Sequence, residues 1–373
     1  MTKLLNSRYN STGERCVDAC LSYGELRYIS DDGTPVNIEI PYDKYEEART
    51  DFSERIKEGM INNDINLSEV LKMGSFTYNQ VKNIALLNKI KGINFFDIDG
   101  SIEMDHILGM SGGIEYALSI WNGGTKEDSL TKAIIRSIKI HGTKFIRSLN
   151  LCEDDKNYEK FCNNIQKLER LLGLELYRFK ICKIEDENYN RDVENKSKLV
   201  KNTNFIIGII GSLIGFILVQ GFTNFGSAIN NIFIHWSINI VVMIISAIIT
   251  IKFIKSISNK YVQQSNNSIF EMFNEVLEFS NFSNLITDNE YKTILQNITK
   301  GEVSKLIMNM RGSVNKKISI NKVISKETEF ILESRINVFL PNEIDIKEMT
   351  ESLIKKYYNE IITDFESECE VIN

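Results

Sequence analysis

Two uncharged stretches constrain this 373-residue chain more than any other feature. Asn204–Phe222 reads NFIIGIIGSLIGFILVQGF and Ile232–Ile251 reads IFIHWSINIVVMIISAIITI, with TNFGSAINN between them. A helix of the first run's length rises about 28 Å, near the thickness of a bilayer's hydrocarbon core. Both runs are apolar on every face, so the spacing predicts two antiparallel membrane-spanning helices in preference to a buried hairpin in a large soluble core. Lys196, Lys198 and Lys201 precede the first run, Lys252, Lys255 and Lys260 follow the second, and no Lys or Arg lies between 202 and 251. That asymmetry predicts that both ends of the hairpin, and with them both termini, face the cytoplasm, with the short turn outside.

The expected fold class is therefore mainly α: a transmembrane helical hairpin between two cytosolic helical modules, with a small N-terminal β-hairpin. The expected divisions are 1–42 for the segment with the β-hairpin and 43–200 for the first helical module and its linker. The hairpin takes 201–255, with spans at about 204–222 and 232–251, and the C-terminal module 256–373. Only three prolines interrupt the chain, which leaves room for long helices. A net charge of −6 is too mild and of the wrong sign for a general nucleic-acid binder, so no nucleic-acid partner is expected.

Within the first run Gly208, Gly211 and Gly215 share one side, and Gly211 and Gly215 form a GxxxG that lets membrane helices approach closely. Asn239, near the middle of the second, is expected to bond across the hairpin. The bilayer is thus the first expected partner, a second copy of the chain through these helices is possible, and an unidentified cytosolic protein is a third.

LRYISDDGTPVNIEI, Leu26–Ile40, alternates around Asp32-Gly33 and reads as a β-hairpin. Helical spacing marks Tyr42–Met60, Leu67–Met73 and Tyr78–Lys89. Ile107, Met110, Ile114, Leu118 and Trp121 mark a further apolar helix face. Thr125 suits an N-cap for a helix over about Lys126–Leu149, with Asp128 at its third position. Lys132, Arg136, Lys139 and Arg147, with Lys144 at the border, occupy one arc of that helix. They are either a face for an anionic membrane surface or the solvated side of a core helix. His141 lies on the apolar arc and reads as a core residue. Cys16 and Cys20, in CVDAC, read as reduced buried thiols, because no histidine or second pair completes a metal site.

INFFDIDGSIEMDH, Ile93–His106, spells the nucleophile loop of a haloacid-dehalogenase-like phosphatase, with Asp97 as nucleophile and Asp99 as general acid. That chemistry needs a doubly wound parallel sheet, and the following hundred residues read as amphipathic helices. A calcium loop fails because Gly100 stands fourth and Leu108 stands at the twelfth position, where a glutamate is needed. A tight Asp-Gly turn before the helix is the preferred reading. No Gly-x-Ser-x-Gly nucleophile elbow is expected. There is no P-loop, no His-Glu-x-x-His and no dinucleotide fingerprint. No cofactor or metal is expected.

FTYNQVKNIA (Phe76–Ala85), GMSGGIEYALSIWNGGT (Gly109–Thr125) and HGTKFIRS (His141–Ser148) follow one another in order. Together they resemble a group of uncharacterised bacterial inner-membrane proteins with an N-terminal region, a glycine-rich membrane hairpin and a charged helical C-terminus. The resemblance implies location and architecture and carries no activity. The expected role is that of a non-enzymatic scaffold, regulator or interaction protein. The alternatives are a pore-forming or bilayer-disrupting effector and, remotely, a phosphatase acting through Asp97 and Asp99.

Overall fold

The structure is a computed structural model and describes residues 5–62, 65–97, 100–151, 156–177, 209, 244, 245, 248, 249, 252, 286–299 and 314–370. The chain divides into two units. Met1–Lys180, Ser280–Tyr291 and Glu329–Asn373 make the first, Ile181–Phe279 and Lys292–Thr328 the second.

The first unit is built on β1 (Leu5–Tyr9), α1 (Gly13–Cys20), a two-stranded ribbon of β2 (Leu21–Ser22) and β3 (Glu25–Leu26), β4 (Asn37–Ile40), α2 (Tyr45–Lys57), α3 (Leu67–Val70) and β5 (Leu71–Met73). α4 (Tyr78–Leu87), β6 (Ile90–Lys91) and β7 (Ile102–Met104) follow. The sheet order is β5-β4-β1-β7, parallel across the first three strands and antiparallel at β7. Register puts Ser7 beside Glu39 and Met104, and Tyr9 beside Ile102. Because a strand alternates its side chains, Leu5, Ser7, Tyr9, Asn37 and Glu39 share one face, and Asn6, Arg8, Ile38 and Ile40 the other. The second face packs Ile38, Ile40 and Leu71 against Cys16, Val17, Cys20, Ala48 and Phe52 from α1 and α2.

The first face is covered by α5 (Gly109–Trp121), α6 (Lys126–His141) and α7 (Thr143–Ser148). Around them stand α8 (Lys156–Asn163), α9 (Ile165–Leu171) and α12 (Glu343–Glu370). Their shared core joins Ile114, Leu118, Ile134, Phe145, Phe161, Leu168 and Ile361. Fully burying one side chain of this size contributes about 1.5–3 kcal/mol, so this face holds most of the unit's apolar stabilisation. α6 is capped by the Thr125 hydroxyl, which accepts from the Asp128 amide at 3.1 Å, as its sequence leads one to expect. Arg335 is buried against Glu290, at 2.6 Å, and lies 4.1 Å over the Trp121 ring. β8 (Val338–Phe339) pairs in parallel with β6. α10 (Asp288–Thr299) and α11 (Val314–Glu333) each contribute residues to both units; within the second, Asn297 donates to Glu327 at 3.3 Å.

Three expectations are corrected. Among the described residues no helix is long and apolar enough to cross a membrane. The two-helix transmembrane hairpin, the inner-membrane location and the cytoplasmic placement of both termini therefore lose their support. An uncharged run fixes only a composition and the length a span would have, and the same composition also suits packing against protein. The runs at 204–222 and 232–251 lie outside the described residues apart from Ile209, Ile244, Ile245, Ile248 and Ile249. Gly208, Gly211, Gly215 and Asn239 are also outside. Second, the helix expected to reach Leu149 ends at His141. Gly142 takes φ +58 and starts a separate turn of helix. Third, the N-terminal hairpin is only partly formed. Its Asp32-Gly33 turn closes through a single bridge of Ile29 to Pro35, and Asn37–Ile40 goes on into the four-stranded sheet.

Candidate functional site

Strand β1 reads LNSRY, and its polar residues Asn6, Ser7 and Arg8 are all buried, as is Glu39 on the neighbouring strand. Buried polar groups must find partners, so the sheet face under α5 carries a network. The Tyr9 hydroxyl donates to Glu39 Oε1 at 2.7 Å, and the Ser7 hydroxyl donates to Oε2 at 3.3 Å. The Ser111 amide donates to the same carboxylate at 3.0 Å, and the Ser111 hydroxyl bonds it too. The Met110 amide donates to Ser7 Oγ at 2.9 Å. Leu108, the residue that caps helix α5, has no side chain able to cap it, so the helix's first free amides are satisfied from the sheet below. His141 Nε2 stands 3.6 Å from Glu39 Oε2, with both side chains fully buried. Burial alone would push the Glu39 carboxyl up. His141, Ser111 and Tyr9 outweigh it and hold the group below its ordinary range, while burial first, and then Glu39's charge, push the Tyr9 phenol well up.

Gly109-Met110-Ser111-Gly112-Gly113 does spell Gly-x-Ser-x-Gly, which corrects the expectation that the pattern is absent. A nucleophile elbow holds its serine on a strained turn with the hydroxyl exposed. Here the positive φ, +64, falls at Gly109, while Ser111 lies inside α5 and is fully buried. Its hydroxyl is engaged by Glu39 and by the Ser75 amide at 2.8 Å. Gly112 serves packing: a Cβ there would sit 2.2 Å from Ser137 Oγ on α6. The order of contacts is serine to glutamate to histidine, so the imidazole does not reach the serine hydroxyl as a triad base would.

A second polar region lies where α5, α6, α9, residues 173–177 and the start of α10 surround a cavity of about 710 Å³. α6 contributes Asp128, Lys132, Arg136 and Lys139, at steps of four and three that keep them on one stripe. Arg136 Nη2 meets Glu115 Oε2 at 3.1 Å and the Tyr177 carbonyl at 3.3 Å, while the Tyr177 amide donates to Glu115 Oε1 at 2.6 Å. Burial raises the Glu115 carboxyl, and the Arg136 charge only partly offsets it. Lys139 pairs with Glu169. Lys132 has no ion pair among the described residues, and the Ser119 hydroxyl is buried without a partner.

Three of the five residues of the basic arc thus converge on one cavity. Lys144 does not join them: its ammonium donates to the Pro35 and Glu69 carbonyls, each at 3.0 Å, and burial lowers it. Arg147 lies beyond Gly142 on α7 and is exposed. Glu115, Ser119 and Glu169 were not singled out, because nothing in their local spacing tells which α5 or α9 residues face α6. Asp97 sits in a turn ahead of antiparallel β7, where the Gly100 amide donates to its carbonyl at 2.8 Å. It is not at the carboxyl end of a parallel strand, and Asp99 lies outside the described residues. Cys16 and Cys20 are free and buried, and burial pushes the Cys16 thiol up to about 12, a range in which a thiol is unreactive. Among the described residues no group of three or more His, Cys, Asp or Glu side chains could hold a metal ion.

No curated protein and no solved structure matches the chain. The block at Phe76–Ser148 that carries the inner-membrane resemblance lies outside the family match. That match is to the YeeR C-terminal domain over residues 2–57, so the part of this chain similar to that family runs from β1 through α2 and includes Ser7, Tyr9 and Glu39.

Proposed function

We propose that this chain is a non-enzymatic interaction or regulatory protein that acts by binding a partner protein. The observation that carries the reading is the state of Ser111. The side chain that most resembles a nucleophile by its sequence is fully buried, and its hydroxyl is already engaged by Glu39 and the Ser75 amide. Attack on a substrate needs an exposed hydroxyl with a base in reach, and this one instead anchors a helix. The mild net charge of −6 favours a protein partner over nucleic acid. Large apolar side chains at Ile336, Phe339 and Ile344 stay exposed within nine residues, a feature of surfaces that meet other proteins.

The test is an assay of the purified full chain with p-nitrophenyl butyrate and p-nitrophenyl phosphate. The wild type should give rates no higher than those of Ser111→Ala and Asp97→Asn. Turnover that either substitution abolishes while the circular dichroism spectrum is kept would refute the reading.

A further inference from the structure

We propose that the cavity between α5, α6 and α9 is a binding site for a small molecule with one anionic group, a carboxylate or a phosphate monoester, on a body rich in hydroxyl or amino donors. The volume, about 710 Å³, is within the range that encloses a small ligand. Three groups of its wall have no partner among the described residues. Lys132, half-buried on the cavity side of α6, acts on Glu115 only through its charge and has no ion pair among the described residues, although its neighbours on the same stripe, Arg136 and Lys139, are each matched to a carboxylate. Ser119 is only 5% exposed, lines the cavity and has a hydroxyl with no partner. The Nε–H of Arg136 is likewise buried and unpartnered. A native fold leaves few such donors unsatisfied, and two of them beside an ammonium with no ion pair among the described residues describe a cradle for an anion.

The remaining wall sets the rest of the ligand. Besides Glu115 and Glu169, which are paired with Arg136 and Lys139, the carboxylates of Asp128, Glu175 and Asp288 line the cavity, and their field opposes added negative charge, that of a nucleoside triphosphate most of all. They favour instead a ligand whose charge is confined to one end and whose remainder offers hydrogen-bond donors. The site is independent of whether the chain is an enzyme, because none of its residues belongs to the Ser111 network.

Isothermal titration of the full chain at fixed ionic strength with ribose 5-phosphate, L-serine and inorganic phosphate tests it. One of the first two should bind with a Kd below about 1 mM and at least ten-fold more tightly than inorganic phosphate. Preference for ribose 5-phosphate identifies a phosphate ligand, and preference for L-serine a carboxylate. Lys132→Gln should weaken that binding ten-fold or more and Ser119→Ala several-fold, while Arg147→Gln, away from the cavity, leaves it unchanged. The proposal is overturned if neither compound outcompetes inorganic phosphate, or if Lys132→Gln binds like the wild type.

Discussion

Glu39 and Glu115 are both almost fully buried carboxylates in one unit of this chain, and their protonation is pushed in opposite directions. Glu39 collects donors from Ser7, Tyr9 and Ser111, with His141 beside it, and is held below its ordinary range. Glu115 has one guanidinium and one amide bonded to it, with the Lys132 charge nearby, and burial prevails. The lesson is that burial depth does not decide the state of a carboxyl; the number of donors aimed at it does. The first site is closed, with its hydrogen bonds spent on holding α5 to the sheet. The second borders a cavity and keeps donors in reserve.

The largest effect that sharpens this contrast comes from Glu39→Ala. It strands the Tyr9 and Ser111 hydroxyls and the Ser111 amide together, and removing one partner of such a buried network costs about 3–5 kcal/mol. Denaturant unfolding should record a loss of that size, with much of the near-ultraviolet signal gone. A loss under about 1 kcal/mol would mean that α5 is held by its apolar face alone. Glu115→Gln should cost far less at pH 7, about 1 kcal/mol, because it removes a charge that burial already disfavours. Its pH signature has the opposite sign to that of Glu39. A carboxyl raised in the folded state binds more protons folded than unfolded just above 4.5, the ordinary glutamate value. The wild type therefore loses stability from this group as pH rises above 4.5, and the Gln variant lacks that slope. Stability curves of the two proteins that run parallel between pH 4.5 and neutrality would contradict this.

Several elements were legible in the sequence and others were not, for identifiable reasons. α2, α4 and α5 fall close to their expected positions because their apolar residues recur at helical steps, and the Thr125 cap is a local signal with a local cause. β1 escaped because LNSRY buries Asn6, Ser7 and Arg8, whereas periodicity methods look for buried apolar residues. β5 was read as the end of a helix over Leu67–Met73, since three residues are too few for an alternation to show. The sheet that these strands form is set by pairing between distant segments, which local propensity does not encode. At the cavity, the spacing of Lys132, Arg136 and Lys139 gave the stripe but not what faces it. Gly109–Gly113 was legible as a spelling, yet its meaning depends on the positive φ at Gly109 and on Glu39, 72 residues from Ser111 along the chain.

The central claim is that Glu39, ionised and buried, pins the start of α5. The most direct measurement is the unfolding free energy of the wild type and Glu39→Gln from pH 7 downward. A carboxyl lowered in the folded state contributes stability that is complete above 4.5 and is lost as pH falls through its folded value. The wild type should therefore lose stability steeply below pH 4.5 while Glu39→Gln, less stable at pH 7, declines more gently, so that the curves converge. Curves that stay parallel down to acid unfolding would show that Glu39 carries no such charge, and the account of α5 would fail.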